Sequence, residues 1–486
     1  MAKAGSLLAV LGLLAGTGLA QQTGTPPTPQ TAPMVPVQQA APAPLPVLTS
    51  TQAFQLATLL SEGRFSHGLV RTAPADELAG TDNDALVRAA LDYAHAVHSG
   101  RLDTGDFDPN WGLRPAPYDP LPAFADAVKR NDLARWIESL WPRYAGYDGL
   151  RKGLDTYRRI DAAGGWSALA AGPDLTIGTT GARVIALRKR LAIEDAQVAT
   201  TSDTYDADLA EAVKRAQRRY GLNPTGAVAA QTRAALNVPA ADRVRQIMAN
   251  MERWRWLPGD LPKNRIQVNI AAAVLTVFDG DAPIASMKAV TGAPGGRETP
   301  MLQSKIHSIV LNPPWNVPPG IAAKELFPKG PAYLASHGFK VIGEGPNKRL
   351  QQVPGKSALG RYKFDFANPY AVYLHDTPSQ ATFNSFDRLA SHGCVRLEKP
   401  APLARLLLRN EAAWPPETLQ AAVDKGDTVR VPLSPENQVA VFLLYWTAFQ
   451  GQDGIMNFRG DPYGWDKTLA AKIEARSASK AAAAGK

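Results

Sequence analysis

The sequence predicts an α+β multidomain protein, with a helical first half, a compact three-helix unit and a mostly β domain toward the C-terminus. Three observations carry that reading. Apolar residues recur at helical spacing from Thr49 to about Ala170, with Ala53, Leu56, Leu59 and Leu60 on one face and Leu86, Ala89, Ala90 and Tyr93 on the next. The same spacing returns in three short pieces between Gly181 and Leu236. From Ile266 the period changes to two, with Ile266, Val268 and Ile270 alternating with Gln267 and Asn269. A chain of 486 residues has room for about three domains at roughly 150 residues each.

The first 20 residues read as a secretory signal. Lys3 supplies the positive start, Leu7 to Leu19 an apolar stretch, and Gly18-Leu19-Ala20 the small residues of a cleavage site. The apolar run is short of the roughly 20 residues of a membrane span. The alternative is an uncleaved anchor, and membrane association is expected only in that case. No cysteine stands near the cleavage site, which excludes a lipoprotein. Residues 21–48 are rich in Pro, Gln, Ala and Thr with almost no charge, so a disordered linker is expected.

Residues 49–170 then form a helical scaffold broken by short Pro/Gly/Asp stretches such as Asp106-Phe107-Asp108-Pro109-Asn110-Trp111. His95 and His98 lie on one of its helices without a third metal ligand. In the unit spanning 171–240, Val184, Leu187 and Leu191 line one helix, and Leu209, Ala212, Val213 and Ala216 line a second. Thr225-Gly226 turns into a third, which ends near Leu236. A connecting helix over 241–261 ends in Glu252-Arg253-Trp254-Arg255-Trp256, whose two Trp residues face different ways. The β domain occupies 262–466, with strands at 274–278, 284–290, 305–311, 370–375, 429–431 and 439–445. The pattern is interrupted over about 312–355, an insertion of the size of a lid. An Ala/Lys-rich tail, frayed or disordered, is expected over 467–486.

The formal net charge of +9 suits an anionic partner, but no zinc-finger spacing, RNP-like aromatic motif or long basic block points to nucleic acid. The chemistry gathers at one thiol. Cys394 is the only cysteine in the chain, so it has no intramolecular disulfide partner. In an exported protein it is either a small buried hydrophobe or a reactive group. It sits in Ser391-His392-Gly393-Cys394-Val395-Arg396, and His375 ends an apolar run before it. Gly393 permits close backbone approach, and N–H groups around Gly393 and Cys394 are candidate oxyanion donors. All seven histidines precede Cys394, which disfavours papain-like endopeptidases. Ser477-x-x-Lys480 lies in the tail without its usual partners, and Leu350 replaces the first glycine of a P-loop at Gly355-Lys356-Ser357. A metal site from His375, His392 and Cys394 lacks a completing ligand, so neither metal nor cofactor is expected.

His375 followed by Ser391-His392-Gly393-Cys394-Val395-Arg396 resembles the signature of the YkuD-type L,D-transpeptidase catalytic domain. Glu252-Arg253-Trp254-Arg255-Trp256, Asn312-Pro313-Pro314-Trp315-Asn316-Val317-Pro318 and His375-Asp376-Thr377-Pro378 are similar to its larger, scaffold-bearing members. Val439 to Thr447, Asn457-Phe458-Arg459 and Tyr463-Gly464 are similar to their C-terminal end. The 181–236 unit resembles a peptidoglycan-binding module, departing from it where Arg188 replaces a usual Gln and Ala216 a usual aromatic. The resemblance implies a peptidoglycan enzyme of the periplasm or cell envelope. Cys394 would be the nucleophile and His375 the general acid/base, with His392, Gly393 and Arg396 as oxyanion or local support. A tetrapeptide stem would be the donor and a second stem's amine the acceptor, giving a 3→3 cross-link with release of D-Ala. Water or a lipoprotein remains open as acceptor, as do the diamino acid at stem position three and the oligomeric state. A sortase-like transpeptidase and a non-catalytic wall-binding protein are the alternatives. The first lacks its expected Thr-Leu-x-Thr-Cys context, since Ala390-Ser391-His392-Gly393 precedes the thiol.

Overall fold

The structure is a computed structural model that describes residues 44–69, 75–345 and 348–484. The expected signal segment and nearly all of the expected linker lie outside the described residues. The end of that linker is ordered. Leu45 and Leu48 pack on the helical core, and the Leu48 N–H donates to Asn83 Oδ1 at 2.9 Å.

Five of the scaffold helices are Ser50–Ser66, Asn83–His98, Leu121–Arg130, Leu133–Glu138 and Ala145–Ala162. Thr49 and Gln52 start the first with reciprocal side-chain to backbone bonds, and Asp82 caps the second by accepting from the Ala85 N–H. Leu56, Leu60, Leu86, Tyr93, Phe124 and Trp136 form the first core. The unit after it is built from Ala182–Ala192, Ala207–Arg219 and Ala230–Leu236. Arg188 is buried there and donates to the carbonyls of Ala199 and Thr204 and to Asp206, so it staples the loop between the first two helices.

The Ala240–Trp254 helix joins both to the β domain. On one side Glu252, fully buried, accepts from Arg255 at 2.9 Å and from the Arg101 N–H. Gly100 beside it has φ +92°, and a Cβ there would meet Glu252 Oε1 at 2.4 Å, so only glycine fits. On the other side Asn250 exchanges hydrogen bonds with Thr447, and Arg253 pairs with Asp466 at 2.6 Å. The two Trp residues divide likewise. Trp254 stacks on Trp446 at 4.6 Å, and Trp256 packs on Trp111 at 5.7 Å.

The β domain contains β1 (Asn264–Asn269), β2 (Val274–Asp279), β3 (Ala282–Gly292) and β4 (Leu302–Leu311). A small separate sheet follows, from β5 (Trp315–Val317), β6 (Phe339–Ile342) and β7 (Arg349–Gln352). The main sheet resumes with β8 (Tyr362–Phe366), β9 (Leu374–His375), β10 (Leu389–Ser391), β11 (Val395–Leu397), β12 (Val429–Pro432) and β13 (Val439–Leu444). A hairpin, β14 (Ala448–Gln450) and β15 (Met456–Phe458), ends the series. The main order is β10-β3-β11-β9-β8-β4-β13-β1-β2, and β2 pairs again with β3, so the circuit of pairings closes. β1–β13, β9–β11 and β3–β10 are parallel; the other pairings of this sheet are antiparallel. The small sheet has a satellite core of Val317, Ala322, Leu326, Leu334 and Leu350.

Two expectations are corrected. The strand expected over 370–375 is ordered as strand only at Leu374–His375, because Asn368 Oδ1 accepts from the N–H groups of Tyr370 and Val372 and turns the chain. The tail, expected as a frayed helix or disordered, is corrected only in its second form: it is a helix, Trp465–Ala484, held by burial of Leu469 and Ile473 and by Arg476 pairing with Asp103 and Asp106.

Removing the charge of a buried, paired carboxylate leaves its partners uncompensated, so Glu252→Gln is expected to destabilise the protein by about 3–5 kcal/mol, read as a lower denaturant midpoint. A second expectation follows from His67. Burial, then the charges of Arg255 and Arg151, lower its pKa from 6.5 to about 2. Below pH 6.5 the unfolded chain takes up a proton there that the folded chain refuses. Stability therefore falls with pH from 6.5 toward 2, at about 1.4 kcal/mol per unit for this group. In His67→Gln the slope of the unfolding midpoint against pH becomes shallower below 6.5.

Candidate active site

Sheet register brings the two halves of the candidate site together. β9 and β11 run parallel, with Leu374 opposite Val395 and His375 opposite Arg396. β8 flanks β9 with Lys363 opposite His375. Cross-strand partners share a face, so Lys363, His375 and Arg396 form a row across three strands. Cys394 stands two residues before Arg396, at the entry to β11. The turn that delivers it is tightly held. Gly393 has φ +115°, in the left-handed region, and its carbonyl accepts from Thr299 Oγ1 at 2.8 Å. Ser391 Oγ donates to the Cys394 carbonyl at 2.6 Å.

The Cys394 side chain is half-buried, with protein around most of the sulfur. Burial pushes the thiol pKa up from 9.0, against hydrogen bonds from Tyr373, through both its backbone and its phenol, and the charges of Lys363 and Arg396. His375 is also buried, and desolvation lowers its pKa to about 3. Its Nδ1 lies 2.5 Å from the Asp376 carbonyl, an acceptor. That bond puts the proton on Nδ1 and leaves the Nε2 lone pair free. Burial thus favours the neutral form of both the thiol and the imidazole at rest.

The other expected residues fall as follows. The His392 ring is turned away to Glu325 of the insertion, with Nε2 to Oε1 at 2.7 Å. The Gly393 N–H already donates to Ser391 Oγ at 3.1 Å. Arg396 is half-buried beside the thiol. His98 stacks on Tyr118 at 3.8 Å and His337 on Tyr333 at 3.9 Å. Among the described residues, no group of three or more His, Cys, Asp or Glu side chains is placed to hold a metal ion, and no helix is long and apolar enough to cross a membrane.

Three further residues were not singled out from the sequence for this site. The Tyr373 phenol reaches the sulfur and is itself hydrogen-bonded by Trp315, at the mouth of the insertion. Its position two residues before His375 was the available signal, since residues two apart in an extended segment share a face. Lys363 lies over the Tyr373 ring at 4.3 Å and pairs with Asp365 at 2.7 Å. Glu325 left no sequence signal.

A lone thiol, an imidazole on the neighbouring strand and hydrogen-bond donors at the sulfur are thus gathered on one face of a β scaffold. Comparison with known proteins matches the domains around this site. The chain carries an L,D-transpeptidase catalytic domain (YkuD) at residues 263–431, with a scaffold domain matched over 2–154 and a "Putative peptidoglycan binding domain" over 180–236. A Haemophilus influenzae protein named "Putative L,D-transpeptidase" is 34% identical over 245 residues, 46% of this chain and 48% of the relative, so the match spans about half of each. A solved L,D-transpeptidase fragment from Xylanimonas cellulosilytica is 17% identical, covering 57% of this chain and 99% of that one at a TM-score of 0.20. L,D-transpeptidase 3 of Mycobacterium tuberculosis is 15% identical over 38% of this chain and 61% of that one, also at a TM-score of 0.20.

With the thiol pKa raised, alkylation of Cys394 by iodoacetamide is expected to climb about tenfold per pH unit from neutrality, with no plateau below pH 9.0. Tyr373→Phe removes a hydrogen bond that favours the thiolate, and displaces the curve to higher pH. A plateau below pH 7 would show an ion pair instead.

Proposed function

We propose that the protein is a peptidoglycan L,D-transpeptidase working in the cell envelope through a Cys394 thioester. The observation that carries the reading is the β9–β11 register, which sets His375 on the strand beside the Cys394 turn. In the reaction, His375 Nε2 takes the thiol proton as sulfur adds to the carbonyl of the third stem residue. The C–N bond to D-Ala then breaks, and the imidazolium returns the proton to the leaving amine. A second stem's side-chain amine adds to the thioester and gives up a proton to His375. Sulfur leaves, and a 3→3 cross-link remains.

Charge on the tetrahedral oxygen needs donors next to the sulfur. Because the Gly393 N–H is engaged with Ser391, the donors we assign are the Cys394 N–H, the His392 backbone and the Tyr373 phenol, whose hydrogen bond the sulfur gives up as the carbon–sulfur bond forms. The 312–355 insertion serves as a lid. Trp315 and Glu325 attach it to Tyr373 and His392, on either side of the thiol. The three-helix unit 171–240 would hold the enzyme to its polymer, and the leader would export it.

The test is incubation of the purified protein with disaccharide-tetrapeptide, read by mass spectrometry. The expected products are a 3→3 dimer, free D-Ala and an acyl adduct on Cys394, all absent in Cys394→Ala. An adduct with sorting-motif peptides but not with stems would favour a sortase-like enzyme. Sacculus binding with no adduct would favour a wall-binding protein.

A further inference from the structure

The row Lys363–His375–Arg396 holds two permanent cations beside a nucleophile that is neutral at rest. They are not equivalent. Lys363 is already satisfied, paired with Asp365 and stacked on Tyr373. Asp365 in turn receives Arg430 at 2.8 Å. Arg396 is half-buried, and among the described residues no hydrogen bond or ion pair holds its guanidinium. The group it acts on is the Cys394 sulfur. A guanidinium is a planar fork of five donors that matches a carboxylate with two parallel bonds, and it is poorly matched to one sulfur. Such a group, partly desolvated and left without an anion, is set up for an anion that arrives with substrate.

Distance indicates which anion. Two residues along a strand span roughly 6.5–7 Å, so the Arg396 side chain starts that far from Cys394 and its fork can reach back over the sulfur. In a peptide whose carbonyl carbon is at the sulfur, the carboxyl carbon of the next residue lies roughly 3–4 Å further on. One more residue would carry the terminal carboxylate about another 3.8 Å away. We infer that Arg396 receives the free terminal carboxylate of the leaving amino acid, and so selects stems that end one residue beyond the scissile bond. It is a specificity-determining residue, while His375 and Cys394 carry the chemistry. The inference rests on the acyl-transfer reading above.

The test uses a stem with isoglutamine and lysine at positions two and three, so that the terminal group is its only carboxylate. It is compared with the same stem ending in a carboxamide, and with one extended by a second D-Ala. For the full chain, the expected kcat/KM for acylation is at least about tenfold higher with the terminal carboxylate than with either other donor. Arg396→Gln should lose about 10–100-fold more on the carboxylate donor than on the carboxamide, whatever loss the two share through the sulfur, making the two equal. Arg396→Lys should recover only part of the preference. Equal losses on both donors, or a wild type that does not discriminate, overturn the inference. Binding of the three peptides to Cys394→Ala, with and without Arg396→Gln, is measured by calorimetry and needs no turnover. A carboxylate preference there that vanishes with Arg396→Gln supports the inference even if no D-Ala is released by the intact enzyme. Equal binding of all three overturns it, whatever the reaction proves to be.

Discussion

The buried Glu252 carboxylate is the constraint on which the arrangement of this protein depends. A carboxylate with no solvent must be surrounded by donors. Here they come from Arg255 one turn along the same helix and from the Arg101 segment far away in sequence. Arg255 in turn donates to the His67 carbonyl and the Tyr147 phenol, so one ion pair gathers three parts of the scaffold. Residues 250 and 252 point roughly 200° apart around a helix axis. The opposite side of the same last turn therefore carries Asn250 and Arg253 to Thr447 and Asp466, behind the β domain. One helix end is thus polar on two faces and buried on both, so the same turn contacts scaffold and β domain through directional bonds.

The candidate site is a consequence of strand register rather than of loop architecture. β9 is only two residues long, and β11 three. Their parallel pairing is held between β8 and β3, so His375 and the turn before Val395 have little freedom to separate. The turn needs Gly393 because its φ is positive, and it needs Thr299 because Oγ1 bridges the Gly393 carbonyl and the Gly292 N–H. A site built on rigid elements needs little reorganisation when substrate arrives.

Much of this was legible in the sequence, and the rest was hidden for identifiable reasons. Period-two alternation at Ile266, Val268 and Ile270 marked the sheet, and a lone cysteine after a glycine marked the turn that faces His375's strand. The helical periodicity of 49–170 was plain. Side-chain chemistry concealed the rest. The 370–375 segment looked like a strand because its composition suits one, but Asn368 takes the N–H groups a ladder would use. For the tail a frayed helix or disorder was expected because Ala and Lys dominate it; it is a helix, and Leu469 and Ile473, four residues apart, dock one face of it. Lys363 and Glu325 act through partners that only the fold brings near, Tyr373 and His392.

The resting site is balanced between two opposing effects, and which one wins bears on how it works. Lys363, Arg396 and the Tyr373 donors favour a thiolate; burial opposes it and prevails. The same burial keeps His375 from holding a proton. In the proposed reaction the charged pair would belong to the reacting state and not to the ground state, because transfer from sulfur to Nε2 would become favourable only as the new carbon–sulfur bond takes up the charge. An anion settling on Arg396 would remove one cation from the thiolate's surroundings, which by itself pushes the thiol further toward the neutral form. Substrate binding and nucleophile activation are then coupled with opposite signs. In the proposed mechanism the donors to the tetrahedral oxygen would have to outweigh that loss, and Trp315, which holds the Tyr373 phenol, ties the insertion to the same balance.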